Sequence, residues 1–455
     1  GLGANSSGAR GISMGRQASA TTDDSVAIGT GARGGATSAG GSVAVGGGAA
    51  ATGTQAIAIG GLYGNDLYSS SATKDGAGNL TKNTQASGEA SIAMGVNTKA
   101  TGTKALAMGA EAQAAGKEST AIGINAKATG VQAITMGSTS EATAEKAIAI
   151  GAEAKSRASE SVAIGSGTVS NRGIAIGKNS TSGGFSSSIS LGTNATSNLG
   201  GIAIGENATA QSNSIVIGSG TRTPGSGTVV IGDDAGIGSA SGKGARGENS
   251  IAIGKGAGKN SDANSFLFNT ITIGAHSKVG ETGKAKLSQS IAIGGVADKE
   301  AARGGATWAK GDQSIAIGGD VKSLGDSSIA IGGDDLDAVS SSRTSYTKKI
   351  FDKNGTQIST QNVNNQSLND IYKNLTGRTE GLGYGVYNGT NSGQGAVALG
   401  VKSEAGDIAL AIGTLSEAKG INSVAIGTGA QTPQANAVAI GGGSTTNGIQ
   451  GRQIT

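Results

Sequence analysis

The peptide Ser-[Ile/Val]-Ala-Ile-Gly, or a close variant, returns along nearly the whole chain, most often every fourteen residues. It stands as Ser25-Val26-Ala27-Ile28-Gly29, Ser161-Val162-Ala163-Ile164-Gly165, Ser250-Ile251-Ala252-Ile253-Gly254 and Ser314-Ile315-Ala316-Ile317-Gly318. Gly95, Gly109, Gly123, Gly137, Gly151 and Gly165 form an unbroken ladder at that spacing. A fixed period of this length restricts the chain to a solenoid, in which each repeat packs on its neighbours and the stack lengthens without thickening. Eighty-four glycines, two prolines and 2% aromatic residues would otherwise read as a flexible low-complexity chain.

Each repeat holds two kinds of strand. The first, as in Ala147-Ile148-Ala149-Ile150, has apolar residues on both alternating sets and reads as covered on both sides. The second alternates small apolar with polar residues, as in Ala110-Glu111-Ala112-Gln113-Ala114, and reads as the outer cover of a coil. A glycine closes each first strand, where the turn calls for positive φ or leaves no room for a Cβ. Two short strands and two turns make one coil of an all-β parallel roll, with two or three large apolar side chains per coil expected in its interior. One such thin roll buries too little apolar area to offset its ordering entropy. The unused face of the first strand is therefore expected to pack on identical chains in a parallel homotrimer, with Ala58, Ala149 and Ala316 allowing close approach at the symmetry axis.

Segments 61–90, 233–249, 255–269, 275–289 and 295–313 interrupt the ladder within residues 1–332 and read as loops or hairpins set outward. The longest interruption is 333–395, after which the repeats resume over 396–451. In it, Tyr346–Phe351 and Thr356–Ile358 flank Asp352-Lys353-Asn354-Gly355, whose Asn-Gly marks a hairpin turn. Ser367–Leu375 has the spacing of a short helix, with Ser367 as N-cap and Gly377 past its end. Arg343, Lys348, Lys349, Lys353, Lys373 and Arg378 make this insertion basic, with Tyr346, Phe351 and Tyr372 interleaved. Such a surface suits acidic proteins or glycans; its competing role is to brace neighbouring chains. Trp308 either anchors a ligand or packs its loop onto the roll.

Catalytic chemistry finds little support. The single histidine, His276, follows a motif glycine and reads as an exposed turn residue. The period of fourteen does not fit the six of left-handed β-helix acyltransferases or the nine of Ca²⁺-binding rolls. Asp334, Asp335 and Asp337 lack the spacing and distal glutamate of a Ca²⁺ loop. There is no cysteine, so disulfides and thiolate metal sites are excluded, and no cofactor is expected. A net charge of +4 with interleaved signs is too dilute for nucleic acid. No apolar run reaches the roughly 20 residues of a membrane span.

Asn422-Ser423-Val424-Ala425-Ile426-Gly427 and Asn249-Ser250-Ile251-Ala252-Ile253-Gly254, each followed by a small-residue return strand, resemble the repeat of YadA-like heads of trimeric autotransporter adhesins. Arg452-Gln453-Ile454-Thr455 is similar to the start of the neck below such heads. The resemblance implies a left-handed parallel β-roll, three chains wide, displayed on a Gram-negative cell surface through a stalk and an outer-membrane anchor absent from this chain. It further implies attachment to host extracellular matrix proteins of the collagen, fibronectin and laminin class, to cells, to sibling bacteria or to abiotic surfaces. An alternative is a structural spacer presenting another module, since Gly1-Leu2-Gly3 reads as the end of a coil and more protein is expected ahead of it.

Overall fold

The computed structural model describes residues 1–35, 40–62, 82–184, 186–223, 225–236, 238–239, 247–260, 266–280, 286–296, 305–382 and 389–446. The neck-like residues 452–455 and most of the 61–90 interruption lie outside them. The chain divides into two units, Gly1–Asn213 and Ser214–Thr455.

In the first unit, three-residue front strands and two-residue return strands stack as two parallel ladders. Ile92–Met94 pairs with Leu106–Met108, which pairs with Thr120–Ile122, always alanine beside alanine at the centre. Lys99–Ala100 pairs with Gln113–Ala114 in the same register. Where the period slips, the ladder does not: Ala163 still faces Ala175, Ala175 faces Ser190 and Ser190 faces Ala203. The surplus or missing residues are absorbed in turns, because a one-residue register slip would turn every inward side chain outward. Within the 61–90 interruption, Gln85–Ala86 already belongs to the return ladder, paired with Ala50–Ala51 and Lys99–Ala100.

The interior of the coil differs from the sequence reading. Ala107, Ala121 and Ala149 of the front strands, and Ala112 and Ala114 of the return strands, are fully buried. The isoleucines, leucines and methionines flanking the front alanines point outward instead, and Ile134 and Met136 are 36% and 43% exposed. Ala58, Ala149 and Ala316 thus fill the coil rather than face a symmetry axis. Two strands joined by such short turns leave room for a methyl group from each side and little more, so small residues go in and large ones go out.

The invariable elements of the motif follow from this narrow section. Gly123 adopts φ +131°, and a Cβ there would stand 2.5 Å from the carbonyl oxygen of Gly137 on the next coil, so both reasons for glycine apply at once. Several motif serines are buried and donate to the carbonyl three residues earlier: Ser119 Oγ to Gly116 O at 2.7 Å, Ser161 Oγ to Ala158 O at 2.6 Å. Other coils carry alanine at the same place, as at Ala105, Ala133 and Ala147, equally buried.

In the second unit a front ladder of the same kind runs from Ile215–Ile217 through Val438–Ile440. Between Val229–Ile231 and Ile315–Ile317 the coils are longer, and the extra residues do not all leave as hairpins. Gly247–Glu248, Phe266–Phe268 and Lys286–Ser288 form a third parallel ladder. The wider section accommodates larger side chains, and Leu267 and Val279 are buried there. Segment 333–395 leaves the ladder intact, since Ile329–Ile331 pairs directly with Val397–Leu399 beyond it.

Candidate adhesive surfaces

The long insertion carries the predicted hairpin and helix. Arg343–Phe351 and Gln357–Ser367 pair antiparallel, with Tyr346 opposite Val363 and Lys348 opposite Gln361. The turn is held by Asp352, whose Oδ1 accepts from Asn354 N at 2.9 Å and Thr356 N at 2.8 Å, while Gly355 takes φ +82°. Ser367 caps helix Leu368–Thr376 by accepting from Asp370 N at 3.1 Å, and Gly377 ends it in the left-handed region at φ +70°. A short helix Asp337–Ser341 precedes the hairpin, and the acidic run there is used locally, Asp335 Oδ1 accepting from Asp337 N at 2.7 Å.

The ten candidate residues separate into three places. Arg343, Lys348, Lys349, Phe351 and Lys353 are exposed on the hairpin, with Tyr346 half-buried beside them. Phe351 and Ile358 are 54% and 62% exposed, a large apolar display for a two-stranded ribbon. Tyr372, Lys373 and Arg378 instead line a cleft of about 1140 Å³ between the helix and the coils at 402–419. Tyr372 is buried with Leu336 and Leu382. Burial pushes its phenol above the ordinary pKa, and Arg378 only partly offsets this.

Arg378 is committed internally. It donates to Gly429 O at 2.8 Å and pairs with Glu417 at 3.5 Å. Lys419 joins the same group, 3.1 Å from Glu417 and 3.3 Å from Glu404. Burial works to lower the Lys419 pKa, but hydrogen bonds and charge from Glu417 and Glu404 outweigh it and the net shift is upward. Arg378 therefore clamps the insertion to the coil that carries Glu417. The sequence offered no sign of this pairing, because the partners lie 39 positions apart on elements joined only by the fold.

Trp308 stands apart from both. It lies in a return strand, between Lys278 and Lys322 in direct register, rather than on a loop. Its Nε1 donates to Gly280 O at 2.6 Å, and Lys310 Nζ sits 4.5 Å from the ring centroid with Lys278 Nζ at 5.8 Å. Thr307-Trp308-Ala309-Lys310-Gly311 repeats the pattern of Thr98-Lys99-Ala100-Thr101-Gly102, and that match was the available signal for its place. His276 is a half-buried turn residue with φ +57°, its backbone N–H donating to Lys255 O at 2.9 Å.

The family model of the YadA head domain repeat matches residues 6–32, 38–62, 86–112, 114–140, 142–168, 244–257, 304–320, 309–334, 406–430 and 418–444. The chain is a YadA-type head. No curated protein matches it closely. Heads of this type belong to adhesins rather than enzymes, and those adhesins form homotrimers exposed on Gram-negative cells. None of the matched segments touches the hairpin or the Leu368–Thr376 helix.

Proposed function

We propose that this head works as a parallel homotrimer at the surface of a Gram-negative bacterium, attaching the cell to host matrix proteins, other bacteria or abiotic surfaces by multivalent contact. The observation that carries this reading is the outward apolar ladder. Ile28, Ile59, Ile134 and Met136 in the first unit, and Ile215, Ile217, Ile273 and Ile331 in the second, are 36–43% exposed at equivalent front-strand positions. An apolar face of that regularity calls for a cover, and identical chains supply one at the same register. Three copies then hold the return strands and insertions toward solvent, where weak contacts add through high effective concentration. The exposed hairpin, with Arg343, Lys348, Lys349, Phe351 and Lys353, is one contact surface of the assembly. The tests are sedimentation, expected to show a stable trimer, and binding to collagen, fibronectin, laminin and bare plastic, expected to be positive for at least one. A folded monomer, or a trimer inert to the whole panel and to sibling cells, would sink this reading.

A further inference from the structure

The return-strand surface around Trp308 differs from the rest of its ladder. Val279, Ala309 and Ser323 point inward and are buried, which turns Lys278, Trp308 and Lys322 outward as three neighbours on successive coils. Lys310 lies on the same face, two residues beyond the indole, and Leu324 beside it is 41% exposed. The nearby carboxylates are already engaged: Asp320 accepts from Ala306 N at 2.8 Å and pairs with Lys322 at 3.6 Å, and Asp312 accepts from Ser288 N at 2.6 Å. The basic stretch has a boundary, since the row continues from Lys322 to Asn391, then Glu404 and Glu417.

We infer that this patch is a docking site for a sulfated polysaccharide. Lys278 and Lys322 are separated by two strand spacings, roughly 10 Å, on the scale of one disaccharide. Ammonium groups at that separation complement sulfates on alternate sugars of a stiff anionic chain. The indole, pinned by its hydrogen bond to Gly280, offers a fixed apolar edge against which a sugar ring packs. An acidic peptide would meet the charges but would leave the indole and Leu324 without a matching flat partner. The inference rests on the adhesin reading, because it needs the return strands to face solvent in the assembly.

The chain has one tryptophan, so its fluorescence reports on this site alone. The trimeric head titrated with a heparin octasaccharide is expected to show a saturable change in Trp308 emission, with the desulfated octasaccharide at least roughly tenfold weaker. The triple variant Lys278→Gln, Lys310→Gln, Lys322→Gln is expected to lose roughly tenfold or more in affinity, and the matching Lys→Arg variant to retain binding. Lys99→Gln, Lys127→Gln, Lys155→Gln removes as many charges from equivalent return-strand positions without an aromatic neighbour, and is expected to change nothing. Sedimentation checks that each variant stays trimeric. Unaltered emission at saturating octasaccharide, equal losses in both triple variants, or equal competition by polyglutamate would each overturn the assignment. If matrix binding persists under any of those results, this inference fails while the adhesin reading stands; a head inert to the whole panel and to the octasaccharide removes both.

Discussion

The regular coils of residues 86–168 and the enlarged coils of 247–317 solve the same packing problem with different cross-sections. In the first, fourteen residues close two strands on an interior of alanine, serine and threonine, and anything larger is sent outside. In the second, about twenty residues add a third strand, and Leu267 and Val279 fit within. Coil length therefore sets core size. The front-strand isoleucines stay outside in both, as Ile273 does in the wide coil, while the wide coil adds Leu267 and Val279 to its own core.

The sharpest way to break this contrast is at the glycine ladder. Gly123→Val forces a side chain into both a left-handed backbone and the carbonyl of Gly137, and is expected to cost about 3–5 kcal/mol per chain. Gly355→Ala in the hairpin, where φ is +82° but nothing lies within 4 Å, is expected to cost only about 1 kcal/mol. Thermal unfolding of the head reads both, and equal losses would mean that coil-to-coil contact is not what demands glycine.

Next in size come the two core exchanges. Leu267→Ala leaves a cavity in the wide coil and is expected to destabilise by about 3 kcal/mol. Ala121→Leu overfills the narrow coil and is expected to cost about 2 kcal/mol or to expel the strand. If Ala121→Leu were neutral in denaturant unfolding, the narrow section would not be the reason for alanine. The smallest effect belongs to Ser119→Ala, which removes the hydroxyl bond to Gly116 but places there the residue its neighbours Ala105 and Ala133 already use. A loss of about 1 kcal/mol or less is expected in the same unfolding measurement.

Much of this was legible beforehand. The glycine ladder marked the coils, Asp352–Gly355 marked the hairpin turn, and Ser367 with Gly377 marked both ends of the helix, because each depends on local backbone chemistry. The inside and outside of the front strand were not legible, since Ile148, Ala149 and Ile150 are apolar on both faces and only the width of the closed coil chooses between them. Nor was the third ladder, because Phe266–Phe268 finds its partners across Gly-rich segments without alternation. Of the candidate contact residues, Arg343, Tyr346, Lys348, Lys349, Phe351 and Lys353 lie on the hairpin that its turn marked. Tyr372 and Arg378 turned out to serve the packing of the insertion, through partners that no local pattern announces.

The direct pairing of Ile329–Ile331 with Val397–Leu399 makes the junction at 332 and 396 a port in the stack. Whatever sequence departs and returns there inherits a fixed platform and leaves the strand spacing unchanged. Selection can therefore exchange the projecting part without redesigning the shaft, and an engineer can graft a foreign epitope at the same seam.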